Sequence, residues 1–487
     1  MRSNGILCPI SCLPSNFGIG DLGKPSYEFV KLLNKGCIKY WQILPLNPVD
    51  CCNSPYASSC DTAIDPIYIS LELLKEDGLI NKLKKVEFPT DKIDYNLVRN
   101  YKMHYLKNAY KLQKDVGSAD FLKFLSENSW LEKYALFQIL LKKNHNKVLY
   151  EWNKKDKEAF YKDKELLIKY SKQIDFIYWV QYKLFNQLEL LKKELAKYDV
   201  KLIGDLPFYV GLNSSDFFGH LDEFLINYRD CSPKMVAGVP PDYFSPQGQL
   251  WGNPCYDVQY MKDNNYSFFK NRIAKALRKY DVLRLDHFRA FDTYYSIPFG
   301  SKNAINGKWE NGIGHPFFEL LKKENILDRL IVEDLGDVFP SVFKLRDDFN
   351  LPGMNILQFS IFDNAFDVKE KQIIYTGSHD NETIVGFYKN LTKEQKEILS
   401  IKFRYEGIKS KKTNWKFIEY AHKSICELSI IPIQDYLGLD NKARINTPGI
   451  AGNINWTFRL KNYKDFIKVL PKIVKMNEMC KRWLKFV

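Results

Sequence analysis

Asp281-Val-Leu-Arg-Leu-Asp-His-Phe288 is the stretch on which the fold turns. A short apolar run closed by charged residues reads as a buried parallel strand, because such a strand is covered on both faces and loses polar alternation. The same signature recurs in GILCPI from Gly5, IKYWQILPL from Ile38, KLIGDLP from Lys201, RLIVEDLG from Arg329, GMNILQF from Gly353, QIIYTGSHD from Gln372 and LSIIPIQD from Leu428. Helical patterns such as PSYEFVKLL after Lys24 and TKEQKEILSIKF after Leu391 lie between them, and strand-helix alternation implies a parallel sheet. Eight such units predict an α/β fold, a single interrupted (β/α)₈ TIM barrel over residues 1–487.

Two intervals are too long for simple crossovers. Residues 47–200 read as mostly Lys-rich helix, and residues 208–279 are rich in Pro, Gly, Tyr and Trp. Both are expected as insertions in βα loops, on the face where barrel active sites sit, the second covering the cleft. The stretch from Leu460 onward reads as one or two closing amphipathic helices, and no internal repeat interrupts the pattern.

The 487 residues carry 72 Lys+Arg against 58 Asp+Glu, a net charge of +14. Lys is interleaved with Glu and Asp, as in LKKELAKYDVK from Leu191, which marks solvated helix faces rather than a nucleic-acid surface. Hydrophobic residues at 45% and aromatics at 15% supply a core and exclude intrinsic disorder. No apolar run approaches the ~20 residues of a membrane span. Ten cysteines are too sparse for a disulfide scaffold, so reduced thiols and a cytoplasmic location are expected. Neither the Cys8/Cys12 pair nor Cys51, Cys52 and Cys60 has a partner at zinc-site spacing, so no metal is expected. GIGDLG at Gly18 matches a dinucleotide fingerprint, yet no acidic residue stands about 20 positions on, so no nucleotide cofactor is expected either.

Chemistry concentrates at strand ends. In DVLRLDHF, a period of two puts Arg284 and Asp286 on one face, where the guanidinium is expected to keep the carboxylate ionised as a nucleophile requires; a structural ion pair is the alternative. RLIVEDLG ends in Glu333 and Asp334, of which alternation admits one to the interior. A carboxyl flanked by Ile331, Val332 and Leu335, near another carboxylate, is expected to have a raised pKa and to serve as a general acid; the alternative is that one of the two caps the following helix. In QIIYTGSHDNET, His379 and Asp380 suit a polyol substrate, or else Ser378, Asp380 or Asn381 caps a helix. Three acidic strand ends together favour the chemical reading. Two facing carboxylates about 5 to 5.5 Å apart are the equipment of retaining glycosidic-bond chemistry. Trp41, Tyr56, Tyr243, Phe244 and Trp251, read as loop residues, offer rings against which sugars lie.

In order along the chain, SNGILCPISCLPSNFGIGDLG, WQILPLNP, SPYASSC, LIGDLPFYV, GVPPDYFSPQGQLWGNP, RLDHFRAF, VEDLG, GSHDNET and NTPG at Asn446 resemble the amylomaltases or disproportionating enzymes, the 4-α-glucanotransferases of glycoside hydrolase family 77 in the α-amylase clan. The resemblance spans nearly the whole chain. It implies Asp286 as nucleophile, Glu333 rather than Asp334 as general acid/base, and Asp380 as the carboxylate gripping substrate hydroxyls. It further implies Tyr56, Asp205, Tyr243, Trp251, Arg284, His287 and His379 as substrate-binding residues. α-1,4-Glucans and maltooligosaccharides are the implied donors and acceptors, with no cofactor, no nucleic-acid or membrane partner, and a monomer or homodimer. One departure stands out: Asn213 occupies a position where relatives often carry an acidic residue. Ser245-Pro246-Gln247 in the arching loop also varies from the commonest pattern.

Overall fold

A computed structural model describes residues 2–49, 52–158, 163–241, 245–336, 338–363, 369–450, 452 and 454–482. All eight apolar runs form parallel strands: β1 (Ser3–Leu7), β2 (Tyr40–Gln42), β3 (Lys201–Leu206), β4 (Val282–Leu285), β5 (Leu330–Val332), β6 (Met354–Ile356), β7 (Ile373–Tyr375) and β8 (Leu428–Pro432). Their spatial order is β5-β4-β3-β2-β1-β8-β7-β6, so every neighbour in space is a neighbour in chain order once β1 meets β8. The two remaining edges, β5 and β6, approach through one backbone hydrogen bond, from Val332 N–H to the Pro352 carbonyl at 2.9 Å. This seam closes the barrel.

The strands are apolar on both faces because both are covered. Leu7, Ile203, Ile331, Ile356, Tyr375 and Ile430 pack together inside the barrel, whereas Ile6, Trp41, Leu202, Val332, Ile374 and Ile431 join the layer between strands and helices. Trp41 is therefore not a sugar platform. It lies in β2, fully buried, with its ring 5.0 Å from Phe29 and its indole N–H donating to the Cys8 carbonyl at 2.7 Å. On the same outer layer Gly204 admits the Tyr280 ring, which a Cβ would meet at 2.0 Å.

The predicted helices form at Lys24–Lys35, at Lys393–Tyr405 and at Lys464–Met479 near the chain's end. The second starts from a capping box in which Thr392 and Gln395 satisfy each other's backbone N–H groups. Between β2 and β3 the chain runs mostly through helices, the longest being Tyr95–Leu112, Trp130–Lys143 and Ser171–Lys197. Between β3 and β4 lie strands Met235–Val239 and Gln249–Pro254, which join Thr293–Pro298 and Lys308–Asn311 from beyond β4 in a four-stranded antiparallel sheet. Trp251 thus sits on a strand and not in a loop. Among the described residues no helix is long and apolar enough to cross a membrane.

His422, on the helix Thr413–Lys423, is wholly buried, with Nδ1 2.9 Å from Ser429 Oγ. Burial, reinforced by Arg482 and Arg2, holds its pKa well below the usual imidazole range. The folded chain refuses a proton that the unfolded chain accepts, so this contribution to stability is present above about pH 6.5 and is lost as pH falls, by about 1.4 kcal/mol per pH unit. Denaturant melts at pH 7.5 and 5.5 should show the wild type losing more stability than His422→Gln, whose pH dependence lacks this component.

Candidate active site

The inward phase of each strand decides which polar residue reaches the barrel mouth. Ile203 faces in, and so does Asp205; Val282 faces in, and so do Arg284 and Asp286; Ile331 faces in, and so does Glu333. Asp334 follows the outward phase of Val332 and serves the seam. One of its oxygens accepts the Met354 N–H at 2.8 Å and the other pairs with Arg346 at 2.5 Å. Among the described residues, removing it leaves the Arg346 guanidinium with the neighbouring Asp347 as its remaining carboxylate partner. Asp334→Ala should therefore lower unfolding free energy by about 3 kcal/mol, measured by denaturant titration.

Arg284, almost fully buried, organises the floor of the site. Its Nη2 lies 2.6 Å from Asp205 Oδ2, 2.9 Å from Asp286 Oδ1 and 3.0 Å from the Tyr56 hydroxyl, and its Nη1 lies 3.3 Å from Glu333 Oε2. Tyr56 in turn donates to Asp205 Oδ2 at 2.7 Å. Burial opposes the guanidinium's charge, yet Asp205, Tyr56, Glu333 and Asp286 raise its pKa well above the ordinary arginine value. Burial, with Asp205 beside it, also pushes the Tyr56 phenol well up, so it stays a donor.

One guanidinium faces three carboxyls, a charge balance that favours one retained proton. Asp286 and Glu333 are drawn onto the same cation and interact with each other. Burial first, then Glu333, pushes Asp286 well above the usual carboxylate range. Glu333 is also pushed up by burial, but Arg284, Asp286 and the His287 backbone N–H outweigh this and bring it down. These directions reverse the expectation of an ionised Asp286 beside a raised acid at 333, because Glu333 receives more donors: the His287 N–H reaches its Oε2 at 2.7 Å. His287 makes that contact from a left-handed backbone with φ of 51°, a conformation uncommon for residues other than Gly and one that Asn, Asp and His adopt more readily than most. Burial, with Arg289 adding to it, lowers the His287 imidazole to about 4, so it is neutral at pH 7.

Asp380 approaches from the β7 end. Its Oδ1 accepts the Asn446 amide at 2.6 Å, its Oδ2 is 3.4 Å from His379 Nε2, and its backbone carbonyl accepts from Arg444 at 2.6 Å. The cap expected here falls elsewhere, on Thr383, whose hydroxyl accepts the Gly386 N–H. His379 is buried and stacks on Tyr56, with ring centroids 5.1 Å apart. Asn446 begins NTPG, the motif that could have flagged it, and it was not among the expected site residues.

Asp286, Glu333 and Asp380 line one cleft of about 630 Å³. Its walls come from Tyr56 to Ser58, from Pro207 to Tyr209 and Gly211 to Asn213 after β3, from Trp251 to Asn253 on the antiparallel sheet, and from Val148 in the helical region. Trp251 is 39% exposed and stands edge-on to His287 at 5.1 Å. Asn213 lines the same cleft and donates to the Asn146 carbonyl at 3.5 Å. Tyr243 and Phe244 lie outside the described residues. Among the described residues no group of three or more His, Cys, Asp or Glu is placed to hold a metal ion.

A (β/α)₈ barrel whose strand ends carry acidic residues around an open groove has the architecture of the carbohydrate-active barrel enzymes. The chain belongs to the 4-α-glucanotransferase family, whose model matches residues 8–465. It is 36% identical to the 4-alpha-glucanotransferase of Clostridium butyricum over 468 residues, covering 93% of this chain and 95% of that one. Against the 4-alpha-glucanotransferase of Aquifex aeolicus it is again 36% identical, over 96% of this chain and 98% of the other. Among solved structures, an amylomaltase from Streptococcus agalactiae in complex with acarbose superposes with a TM-score of 0.93 at 30% identity, covering 99% of this chain and 100% of that one.

Proposed function

We infer that the protein transfers segments of α-1,4-glucan between maltooligosaccharide or starch chains by double displacement with retention. The observation that carries this reading is the convergence of Asp286, Glu333 and Asp380 on one groove. In the proposed cycle Asp286 attacks the anomeric carbon while Glu333 protonates the departing 4-oxygen, leaving a glycosyl ester on Asp286. Glu333, now ionised, takes the proton of an incoming 4-hydroxyl, and the attacking oxygen replaces the ester. The single proton held by the carboxyl pair suits this cycle. A sugar entering between them parts the two groups, Arg284 remains on Asp286 to stabilise its anion, and the proton passes to Glu333 beside the leaving oxygen.

Asp380, braced by Asn446, grips ring hydroxyls, and Tyr56 with His379 offers a stacked platform beside it. Asp205, Arg284, His287, Trp251 and Tyr243 complete the proposed binding set. Transfer outcompetes hydrolysis when the acceptor is held in attack geometry, since well-oriented groups reach effective molarities of about 10⁵ M or more. Incubation with maltotriose should give glucose plus longer oligomers at a constant number of reducing ends. A steady rise in reducing ends would identify a hydrolase instead. Cys8, Cys12, Cys37, Cys60, Cys231, Cys255, Cys426 and Cys480 are free thiols, which supports the proposed cytoplasmic location; a monomer or homodimer is the proposed state, read by gel filtration.

A further inference from the structure

Away from the glucan cleft, the helices Tyr95–Leu112, Trp130–Lys143 and Ser171–Lys197 enclose a second cavity, of about 720 Å³. Its floor is apolar, with Tyr134 and Val180 buried and Phe176 half-buried. Its mouth carries Lys107, Lys111, Lys142 and Lys172, all exposed. Among the described residues no Asp or Glu lines this cavity. The amides of Asn108 and Gln173, both exposed, and of Gln138, half-buried, also line it.

We propose that this cavity binds a nucleoside di- or triphosphate, its base lying on the floor of Tyr134, Phe176 and Val180 and its phosphates among Lys107, Lys111, Lys142 and Lys172. Four ammonium groups around one opening repel one another and call for a ligand with several negative charges. An apolar, aromatic floor calls for a flat body, and the amides call for polar ring edges, which a purely aliphatic anion lacks. The volume lies within the range of about 300 to 1,000 Å³ that holds small ligands. Gln138 also donates to Ser59 Oγ at 3.2 Å, next to Ser58 of the glucan cleft, so the occupant would touch a side chain that anchors the cleft wall.

Calorimetric titration of ATP into the full-length protein, at an ionic strength of about 0.1 M, tests this. One saturable site is expected, weakened about tenfold or more in the double variant Lys111→Glu/Lys142→Glu and weakened again in Phe176→Ala. Excess maltotriose should leave the affinity unchanged. The lysines are exposed, so the double variant is expected to keep the wild-type melting temperature, which separates lost binding from lost folding. Absence of saturable binding at millimolar ATP would overturn the proposal. So would tripolyphosphate binding as tightly as ATP, which leaves the floor without a role, or laurate binding more tightly, which makes the site one for an aliphatic anion.

Discussion

Asp286→Asn is expected to reduce maltotriose disproportionation by about 10⁴-fold or more, the scale on which loss of a covalent nucleophile registers. The amide keeps the shape and one acceptor oxygen for Arg284, whose Nη2 still has Asp205 and Tyr56 as partners, so the folded state should survive and glucan binding should persist. The measurement pairs single-turnover kinetics with a binding isotherm for a maltooligosaccharide. Retained binding with lost turnover assigns the residue to the chemistry, because an interaction made only in the transition state affects rate and not ground-state affinity. Wild-type turnover in this variant would remove Asp286 from the mechanism.

Glu333→Gln should cost about 10² to 10⁴-fold with maltotriose, the range typical of general acid-base assistance. A second substrate separates this role from that of Asp286. A glycosyl fluoride leaves without protonation, so the variant should form the glycosyl ester from it at close to the wild-type rate, while transfer to a sugar hydroxyl stays slow for want of the base. The variant also relieves Asp286 of the neighbour that, after burial, does most to raise its pKa. The acidic limb of the pH profile with the fluoride should accordingly move to lower pH. A variant equally impaired on both substrates would speak against Glu333 as the acid.

The barrel was legible in the sequence because each strand is covered on both sides and shows as an unbroken apolar run ending in polar residues. The same property hid the phase of β5. Leu330, Ile331 and Val332 are all buried, so nothing in their chemistry tells which alternate set faces inward, and periodicity left Glu333 and Asp334 tied until the family resemblance favoured one. The structure separates them by neighbours: Arg284 and His287 for one, Arg346 and Met354 for the other. Trp41 misled for a related reason, since a large ring near a Pro-rich stretch looks available until Phe29 is seen packed against it. The antiparallel sheet escaped because two of its strands come from either side of β4, a pairing with no local signal. Asn446 escaped because its work depends on reaching Asp380, 66 residues earlier in the chain.

A ring of staves fastened by ladders everywhere but at one joint yields first at that joint. Between β5 and β6 a single backbone bond and the Asp334 side chain do the fastening, and Glu333 stands directly beside them. Arg284, by contrast, belongs to a strand knit on both sides, and Asp286 follows directly after it. The first loosening of the cylinder would therefore leave Asp286 and Glu333 together, since the Glu333 N–H still bonds the Leu285 carbonyl, but would draw both away from Asp380 at the β7 end, and the enzyme would fall silent while most of its architecture still stood.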